Sequence, residues 1–385
     1  MLRPSLAAVL LGVQAAAIWV PSPNTSDARF NAWLKDEARA WAALKAAQRP
    51  APEDAEVRLA LVGDSVTRNI ALSLCFALGA RPGRMGKPGR RCKYVHYCRA
   101  PGANVSVVAC VETRGPIASV EESLDEACDV PGARRLFATR ESRCAADVVL
   151  FGTGGLHYLH LGGARPWPEA KVKAAARLPS VVSSGLGAIR ARGACPVFHT
   201  LNAVCPAAFE GVFSEWYSWK RLSEYCRNFS AHHPQLLPSN PTHSGDGPIH
   251  ALDASGSVVV TQETCPLFSL TDFGSRYVHD LELRAVALAD AFRAQTQPHG
   301  RAVSATLVNP PGTAATAVRA RIVGLGDHLP GHAVGTRVID GFSITYGQCW
   351  ASAHTDGRHY VPIIHHKVAA LSSHVRECLA SSPER

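Results

Sequence analysis

A serine near the amino end of the chain and an aspartate–histidine pair near its carboxyl end carry the residue types of an acyl-transfer site. Ser65 ends the tripeptide GDS, and Asp356 and His359 lie three residues apart in the string HTDGRHYVPIIHH at 354–366. A serine becomes a nucleophile when a histidine takes its proton, and a carboxylate can orient that histidine. These residue types predict covalent catalysis through an acyl-serine.

The sequence around Ser65 predicts how the fold would expose this side chain. The apolar run at 59–62 is typical of a buried strand, and after the GDS break Ile70, Leu74 and Leu78 recur at the spacing of one helix face. A turn between a strand and a helix lifts a side chain out of the core, and the first N–H groups of the helix point to the same place. We therefore expect Ser65 on such a turn, with an oxyanion site beside it.

Each pattern also has an ordinary interpretation. GDS is a common turn and N-cap composition, and an Asp-x-x-His string is often a surface turn with an unrelated histidine. A metal site is a further alternative, because four histidines lie within 354–366. Zinc ligands on a helix are spaced by three or four residues, so only an irregular loop would gather these histidines. We expect no metal site.

The longer string GDSVTRNIALSLC at 63–75 resembles the first motif of the trichome-birefringence-like proteins and their PC-esterase relatives. In this family of the SGNH/GDSL hydrolase superfamily, GDS is followed by a spaced Arg-Asn and, one helix later, by Leu-Cys. An Asp-x-x-His motif follows near the carboxyl end. The resemblance implies that Ser65 is the nucleophile, that His359 takes its proton and that Asp356 orients His359.

The middle motif departs from the family pattern. The family strand ends in Asn-Thr-Gly followed by His and aromatic residues, whereas this chain reads GTGGLHY at 152–158, with His157 in the family's histidine region. Without the Asn, the oxyanion donors would be the backbone N–H groups of Ser65 and of Thr153 or Gly154, or else Asn202 at the end of another strand. A tight glycine turn with no ligand is the alternative.

Three polar residues beside the serine complete the candidate site. Asp64 precedes Ser65, and Arg68 and Asn69 lie in the first turn after it. A positive side chain at this point would stabilise an acyl oxyanion or bind an acidic group, although an arginine there can also be an ordinary surface residue.

Strands alternate with helical patterns along the rest of the chain. This order predicts a three-layer α/β/α sandwich with a doubly wound parallel sheet, of the SGNH-hydrolase type, with loop insertions. We interpret the Gly/Pro/Arg-rich connection up to about Cys92 as a loop, and expect a helical break at Pro179. The further candidate strands are 105–111, 146–151, 196–201 and 336–339; a further helix is expected at 276–293 and a long surface loop at 234–256.

The amino-terminal segment divides into two parts. Residues 1–22 contain an apolar run after Arg3 and predict a signal peptide, cleaved near Ala17, or a signal-anchor. Residues 23–54 contain a helical stripe of aromatic and leucine side chains at 27–48 and predict a stem or a lid helix. Residues 55–385 are then the SGNH-like catalytic domain.

Cysteine usage and charge limit the compartment and the partners. Twelve cysteines are spread along the chain without a CxxC pair, which favours disulfides in an oxidising lumen, and glycosylation triplets begin at Asn24, Asn104 and Asn228. The net charge of +9 comes mostly from scattered arginines. It would suit an acidic polysaccharide or a membrane surface, or a solvated face with no partner, and we expect no nucleic acid.

The resemblance implies O-acyl transfer, usually acetyl, to hydroxyl groups of a polysaccharide or glycoprotein in the Golgi. No cofactor would be bound, and an acetyl donor, with acetyl-CoA as the candidate, would be the co-substrate. Membrane contact would be limited to the amino-terminal segment, as a type II anchor with a luminal domain, or absent if the protein is secreted. Two alternatives stay open: an esterase that removes acetyl groups with the same triad, and a glycan-binding protein whose triad is idle.

Overall fold

The computed structural model describes residues 28–48, 55–86, 88–112, 117–139, 142, 144–155, 167–208, 272–296, 335–352 and 357–381. The apolar run in 1–22, the loop at 234–256 and the candidate site residues His157 and Asp356 lie outside the described residues.

A sheet of seven strands forms the centre of the described chain, in the order β2-β3-β4-β1-β5-β6-β7. The strands are β1 (Val57–Gly63), β2 (Gly83–Gly86), β3 (Tyr94–Ala100), β4 (Val105–Val111), β5 (Val148–Gly152), β6 (Cys195–His199) and β7 (Arg337–Ile339). The five strands expected from the sequence are confirmed, with ends shifted by a residue or two.

The sheet is mixed, which corrects the expectation of a parallel sheet. β4, β1, β5, β6 and β7 are parallel, but β3 pairs antiparallel with both β4 and β2. The loop expected up to Cys92 therefore contains strand β2. Its sequence, GRMG, has no apolar alternation, and it forms a strand because the backbone of β3 offers it an edge to pair with.

Helices cover both faces of the sheet. They are α1 (Ala28–Gln48), α2 (Ser65–Ala77), α3 (Val120–Asp129), α4 (Pro131–Phe137), α5 (Trp167–Ala191), α6 (Asp272–Thr296), α7 (Gly341–Thr345) and α8 (Ile364–Ala380). The first face is covered by α1, α2 and α8, which pack with Leu59 and Leu61 of β1. The opposite face is covered by α3, α4, α5 and α6, which pack with Ala60 and Val62. The result is a three-layer arrangement, as expected.

Helix α5 runs through Pro179 without the expected break. A proline removes one backbone hydrogen bond and strains the preceding turn. Leu178, Val182 and Leu186 are fully buried on both sides of it, so packing against the sheet outweighs the local preference.

Helix α1 packs on the same face as α2 and α8. Leu34 and Trp41 are fully buried there, whereas Trp33 is 38% exposed. The buried Lys45 donates hydrogen bonds to the carboxylate of Asp147 and to the carbonyl of Glu56, at the amino ends of β5 and β1. The helix expected at 27–48 is thus part of one of the two cores.

The order of strands reverses at β1. From β1 the sheet extends through β4, β3 and β2 on one side and through β5, β6 and β7 on the other. In open α/β sheets, ligands bind outside the carboxyl ends of the strands at such a reversal. Ser65 lies two residues after the end of β1, so it lies at this position.

Five disulfides link the described cysteines, and none of those cysteines is free: Cys75–Cys98, Cys92–Cys110, Cys128–Cys144, Cys195–Cys378 and Cys205–Cys349. This pattern fits a secreted or luminal protein in an oxidising compartment. Among the described helices, none has the length and apolarity needed to cross a bilayer.

Candidate active site

Ser65 is the first residue of α2 and is half-buried. Asp64 is the N-cap of the helix, and its side chain accepts a hydrogen bond of 2.9 Å from the backbone N–H of Val66. This cap fixes the start of the helix, where the backbone N–H groups and the helix dipole favour negative charge. The turn therefore holds the partly exposed Ser65 side chain at the amino end of α2.

Close packing between Gly63 and Thr67 locks this turn against the end of β1. A Cβ atom added at Gly63 would lie only 2.0 Å from Thr67 Oγ1, and Thr67 is 1% exposed. Only a glycine lets the first turn of α2 sit this close to the strand, so the GDSVT string sets the position of the serine as well as its exposure.

His359 reaches Ser65 across 294 residues of sequence. Its Nε2 lies 2.7 Å from Ser65 Oγ, the distance of a hydrogen bond through which the hydroxyl proton can pass. His359 is half-buried in the segment that precedes α8. The structure thus brings together two of the three residues expected to form the triad, and the third, Asp356, lies outside the described residues.

The segment of His359 is anchored by the chain that follows β6. The Asn202 side chain donates a 2.7 Å hydrogen bond to the carbonyl of Arg358, and the N–H of Cys205 donates another of 2.7 Å to the carbonyl of Gly357. Asn202 is 1% exposed. Its amide, which the sequence suggested as an oxyanion donor, is therefore bound to the backbone next to His359.

A buried lysine holds the other end of the Asn202 amide. Lys367 of α8 has no exposed surface, and its Nζ donates to Asn202 Oδ1 and lies 3.3 Å from His199 Nε2. Burial lowers the pKa of Lys367 to about 7, against the opposing fields of Asp64 and Asp340. Burial, and then the field of Lys367, hold the pKa of His199 well below its ordinary value, so this ring is neutral and its Nε2 can accept a hydrogen bond from Nζ.

The turn after β5 carries Thr153 and Gly154 to the same edge of the sheet. Gly154 has φ of 71°, a left-handed conformation that favours glycine. The Thr153 hydroxyl donates to the Glu282 carboxylate, and the Thr153 carbonyl accepts a 3.0 Å hydrogen bond from the N–H of Ile117. The turn that contains the expected backbone donors is therefore held from two sides.

Glu282 of α6 is a fully buried carboxylate behind this turn. Besides the Thr153 hydroxyl, it accepts a 2.8 Å hydrogen bond from the N–H of Leu201, directly after β6. Burial raises the pKa of Glu282 to about 7, although the hydrogen bonds from Thr153 and Leu201 and the charge of His279 oppose the shift. A group with this pKa beside a candidate site can change its charge near neutral pH.

A histidine–aspartate contact lies one helical turn before Glu282. His279 Nε2 is 2.9 Å from Oδ1 of Asp340, which caps α7. Burial opposes the charged ring, but hydrogen bonds to Asp280 and Asp340 outweigh it and raise the pKa of His279 to about 9. His279 is thus a buried cation paired with Asp340, one helical turn before Glu282.

Arg68 and Asn69 form a pair with each other. The Arg68 guanidinium donates to Asn69 Oδ1 at 3.1 and 3.2 Å, and Asn69 is 3% exposed. Arg68 is half-buried in the first turn of α2, on the helix that carries Ser65. Of the site residues expected from the sequence, His157 lies outside the described residues, as does Asp356.

Four residues of this site were not expected from the sequence: Glu282, Lys367, His199 and Thr67. A signal for Lys367 was present, because it lies four residues before Leu371 and eight before Val375, on the buried face of α8. A charged residue in an apolar stripe indicates a buried polar contact. Nothing in the local sequence distinguished Glu282 from the other acids of a helix.

Comparisons of this chain with protein-family models, with curated proteins and with solved structures found no match. Its class is therefore defined by its own fold and geometry. It is an α/β protein with a mixed, mostly parallel sheet, and a serine contacts a histidine where the strand order reverses.

Proposed function

We propose that this protein transfers an acyl group, with acetyl as the proposed group, to a hydroxyl group of a glycan through an acyl-serine on Ser65. The observation that carries the proposal is the 2.7 Å contact between Ser65 Oγ and His359 Nε2 at the amino end of α2. The proposed nucleophile and base meet at the first helix N–H groups, and both side chains are partly exposed, which suits nucleophilic acyl transfer.

In the first half-reaction, Ser65 Oγ attacks the carbonyl carbon of the acyl donor while its proton passes to His359 Nε2. The bond between the carbonyl carbon and the leaving atom of the donor then breaks, and the leaving group takes the proton from His359. The negative oxygen of the tetrahedral intermediate would be stabilised by the backbone N–H groups of Ser65 and Gly154.

In the second half-reaction, a sugar hydroxyl attacks the acyl-serine. His359 takes the proton of that hydroxyl and returns it to Ser65 Oγ when the bond between Ser65 and the acyl carbon breaks. The products are an acylated sugar and the free serine, so atoms and protons balance. Asp356 would orient His359 throughout.

Support for a glycan acceptor comes from the resemblance of GDSVTRNIALSLC, followed late in the chain by Asp-x-x-His, to the trichome-birefringence-like proteins. That family implies polysaccharide or glycoprotein acceptors, an acetyl donor such as acetyl-CoA, and an SGNH-like form of the three-layer fold. The esterase alternative uses the same two residues, with water in place of the sugar hydroxyl.

The first test replaces the nucleophile. Ser65→Ala should lower kcat by at least about a thousandfold, because the acyl-enzyme cannot form, while the melting temperature stays unchanged. Ser73→Ala is the matched control, since it removes a hydroxyl from the same helix without touching the site. Turnover is measured by mass spectrometry of a glycan incubated with acetyl-CoA.

Two outcomes would redirect the proposal. If acetylated glycans only lose acetyl groups, in a reaction that also requires Ser65, the protein is an esterase. If an active-site phosphonate fails to label Ser65 in the wild-type protein, the serine is not activated, and this result favours the glycan-binding alternative.

The proposed compartment is the Golgi lumen, supported by the family resemblance and consistent with five disulfides. The apolar run would then be a type II signal-anchor. Sequencing the amino terminus of the mature protein tests this: a start at Met1 or Leu2 on a membrane-bound protein supports the anchor, and a start near residue 18 makes the protein secreted.

A further inference from the structure

The edge of the sheet beyond β4 lies beside the nucleophile. Tyr94 of β3 is paired with Val111 of β4, and Val111 is paired with Gly63, two residues before Ser65. Because neighbouring strands are about 4.8 Å apart, Tyr94 lies roughly 10 Å from Gly63 and β2 lies one strand further out. The outer hairpin is thus within reach of a substrate bound at Ser65.

One face of this hairpin is the face that α2 covers. Arg84 is paired with His96, and Tyr94, His96 and Cys98 alternate onto one side of β3. Cys98 is joined by a disulfide to Cys75 of α2, which fixes this face against the helix that carries Ser65 and Arg68. Arg84, Tyr94 and the first turn of α2 therefore belong to one corner of the molecule.

Two cations at this corner have no acidic partner among the described residues. The Arg84 guanidinium carbon lies 4.2 Å from the centre of the Tyr94 ring, and Lys93 Nζ lies 5.3 Å from it. By contrast, the neighbouring Arg91 is paired with Glu122 and Arg99 with Glu56. Arg84 is exposed, so its guanidinium N–H groups can reach a ligand.

The positive field at this corner extends from α2 to β2. Burial, followed by the charges of Arg68 and Arg84, lowers the pKa of His96 to about 4, and no carboxylate is among the groups that shift it. An anion that bound beside the Tyr94 ring would meet the positive charges of Arg84 and Lys93, and the buried His96 ring behind them is neutral.

We propose that Arg84, Lys93 and Tyr94 form a subsite for an anionic group of the substrate, roughly 10–15 Å from the reacting acyl group. The inference rests on the proposed function, because it takes Ser65 as the point of chemistry. The chemistry recognised is an oxyanion against a guanidinium, and it has two sources: a carboxylate or sulfate on an acidic sugar of the acceptor, or a phosphate of the acyl donor.

The test measures binding in the Ser65→Ala background, so it does not depend on turnover. Affinities are measured by calorimetry for an oligogalacturonate, a neutral xylo-oligosaccharide of equal length, coenzyme A and pantetheine. The subsite variant is Arg84→Ser with Lys93→Ser. The matched control is Arg135→Ser with Arg284→Ser, which removes two exposed positive charges from helices on the opposite face of the sheet.

The subsite variant should bind its anionic ligand at least about tenfold more weakly than the control variant, with a smaller dependence on salt, and bind the uncharged probes as before. A loss of affinity for the oligogalacturonate assigns the subsite to the acceptor. A loss of affinity for coenzyme A but not for pantetheine assigns it to the donor. Equal affinities in the two variants, or no binding of either anionic probe to the parent protein, overturn the inference.

A second readout reports on the subsite directly. Bound anion should raise the pKa of His96, followed by NMR of its ring protons, because the anion offsets the charges of Arg68 and Arg84. The two failures are distinguishable. If the Ser65→Ala variant keeps full turnover, the proposed function is wrong, but anion binding that depends on Arg84 and Lys93 would still support the subsite.

Discussion

Glu282 is the residue that most clearly connects buried electrostatics with the proposed chemistry at Ser65. Its carboxylate receives the Thr153 hydroxyl from the turn after β5 and the Leu201 N–H from the segment after β6. The Thr153–Gly154 turn contains an N–H that we propose as an oxyanion donor, so the turn must be held in place by its neighbours. Glu282 gives that support from behind the turn.

Glu282→Gln should lower kcat about tenfold at pH 8 with little change in KM, because an amide has one acceptor oxygen where the carboxylate has two. Near pH 5.5 the kcat values of the wild type and the variant should become similar, since the raised pKa of about 7 leaves Glu282 protonated there. The measurement is kcat and KM between pH 5.5 and 8.5. His279 and Asp64 are the charged groups that face Glu282, and both are unchanged in this variant.

Stability gives an independent check on the same group. The carboxyl has its ordinary pKa of 4.5 when unfolded and about 7 when folded, so the folded state binds more protons between these values. The unfolding free energy of the wild type should therefore fall as pH rises from about 4.5 to 7, by up to about 3 kcal/mol, relative to Glu282→Gln. Glu126→Gln is the control. The Glu126 carboxylate also accepts hydrogen bonds from two backbone N–H groups, those of Arg91 and Cys92, but it lies away from the Thr153 turn. If the ratio of kcat between the wild type and Glu282→Gln is constant across pH, the role given to Glu282 is wrong.

At the scale of elements, α8 positions the histidine that precedes it. Lys367 reaches from the buried face of the helix to Asn202, and Asn202 binds the carbonyl of Arg358 beside His359. The contact between Ser65 and His359 therefore depends on how α8 packs on β6, as well as on the segment that carries the histidine.

Lys367→Met should lower kcat about tenfold and slow phosphonate labelling of Ser65 by a similar factor, because Asn202 loses its hydrogen bond from Nζ and holds the carbonyl of Arg358 less firmly. Lys45→Met is the matched control. Lys45 is also a buried lysine with hydrogen-bonded partners, but it binds Asp147 and Glu56 at the opposite end of the strands. It should lose stability and keep its kcat. Equal losses of activity in the two variants, both measured on folded protein, would show that Lys367 acts only through stability.

At the scale of the whole molecule, disulfides tie distant parts of the chain to the sheet. Cys195–Cys378 links β6 to α8 across 183 residues, and Cys128–Cys144 closes a loop of 16. A cross-link stabilises a protein mainly by restricting the unfolded chain, and the effect grows slowly with loop length.

Replacing both Cys195 and Cys378 with alanine should lower the unfolding free energy by about 4 kcal/mol, because Cys205–Cys349 lies inside this loop and shortens it. Replacing Cys128 and Cys144 should lower it by about 3 kcal/mol. Substituting both cysteines of a pair avoids a free thiol that could exchange with other disulfides. Chemical denaturation of the two double variants and the wild type measures the difference. A larger loss for the short loop would contradict the expected order.

Local patterns in the sequence determined the strands of the parallel core, the helix after Ser65 and the position of the serine on the turn between them. These follow from hydrophobic periodicity and from the glycine and capping residues, which act within a few residues of one another. The same reasoning failed at β2 and at Pro179. There, pairing with β3 and packing against the sheet outweighed what the neighbouring residues prefer.

Only the tertiary structure decided which polar groups meet. Ser65 and His359 are 294 residues apart, Asn202 and Lys367 are 165 apart, and Thr153 and Glu282 are 129 apart. The sequence proposed the first of these pairs from residue types and family resemblance, and it contained no sign of the third. A carboxylate on a helix can face solvent or the core, and its pKa and partners follow from burial, which depends on how every strand and helix packs around it.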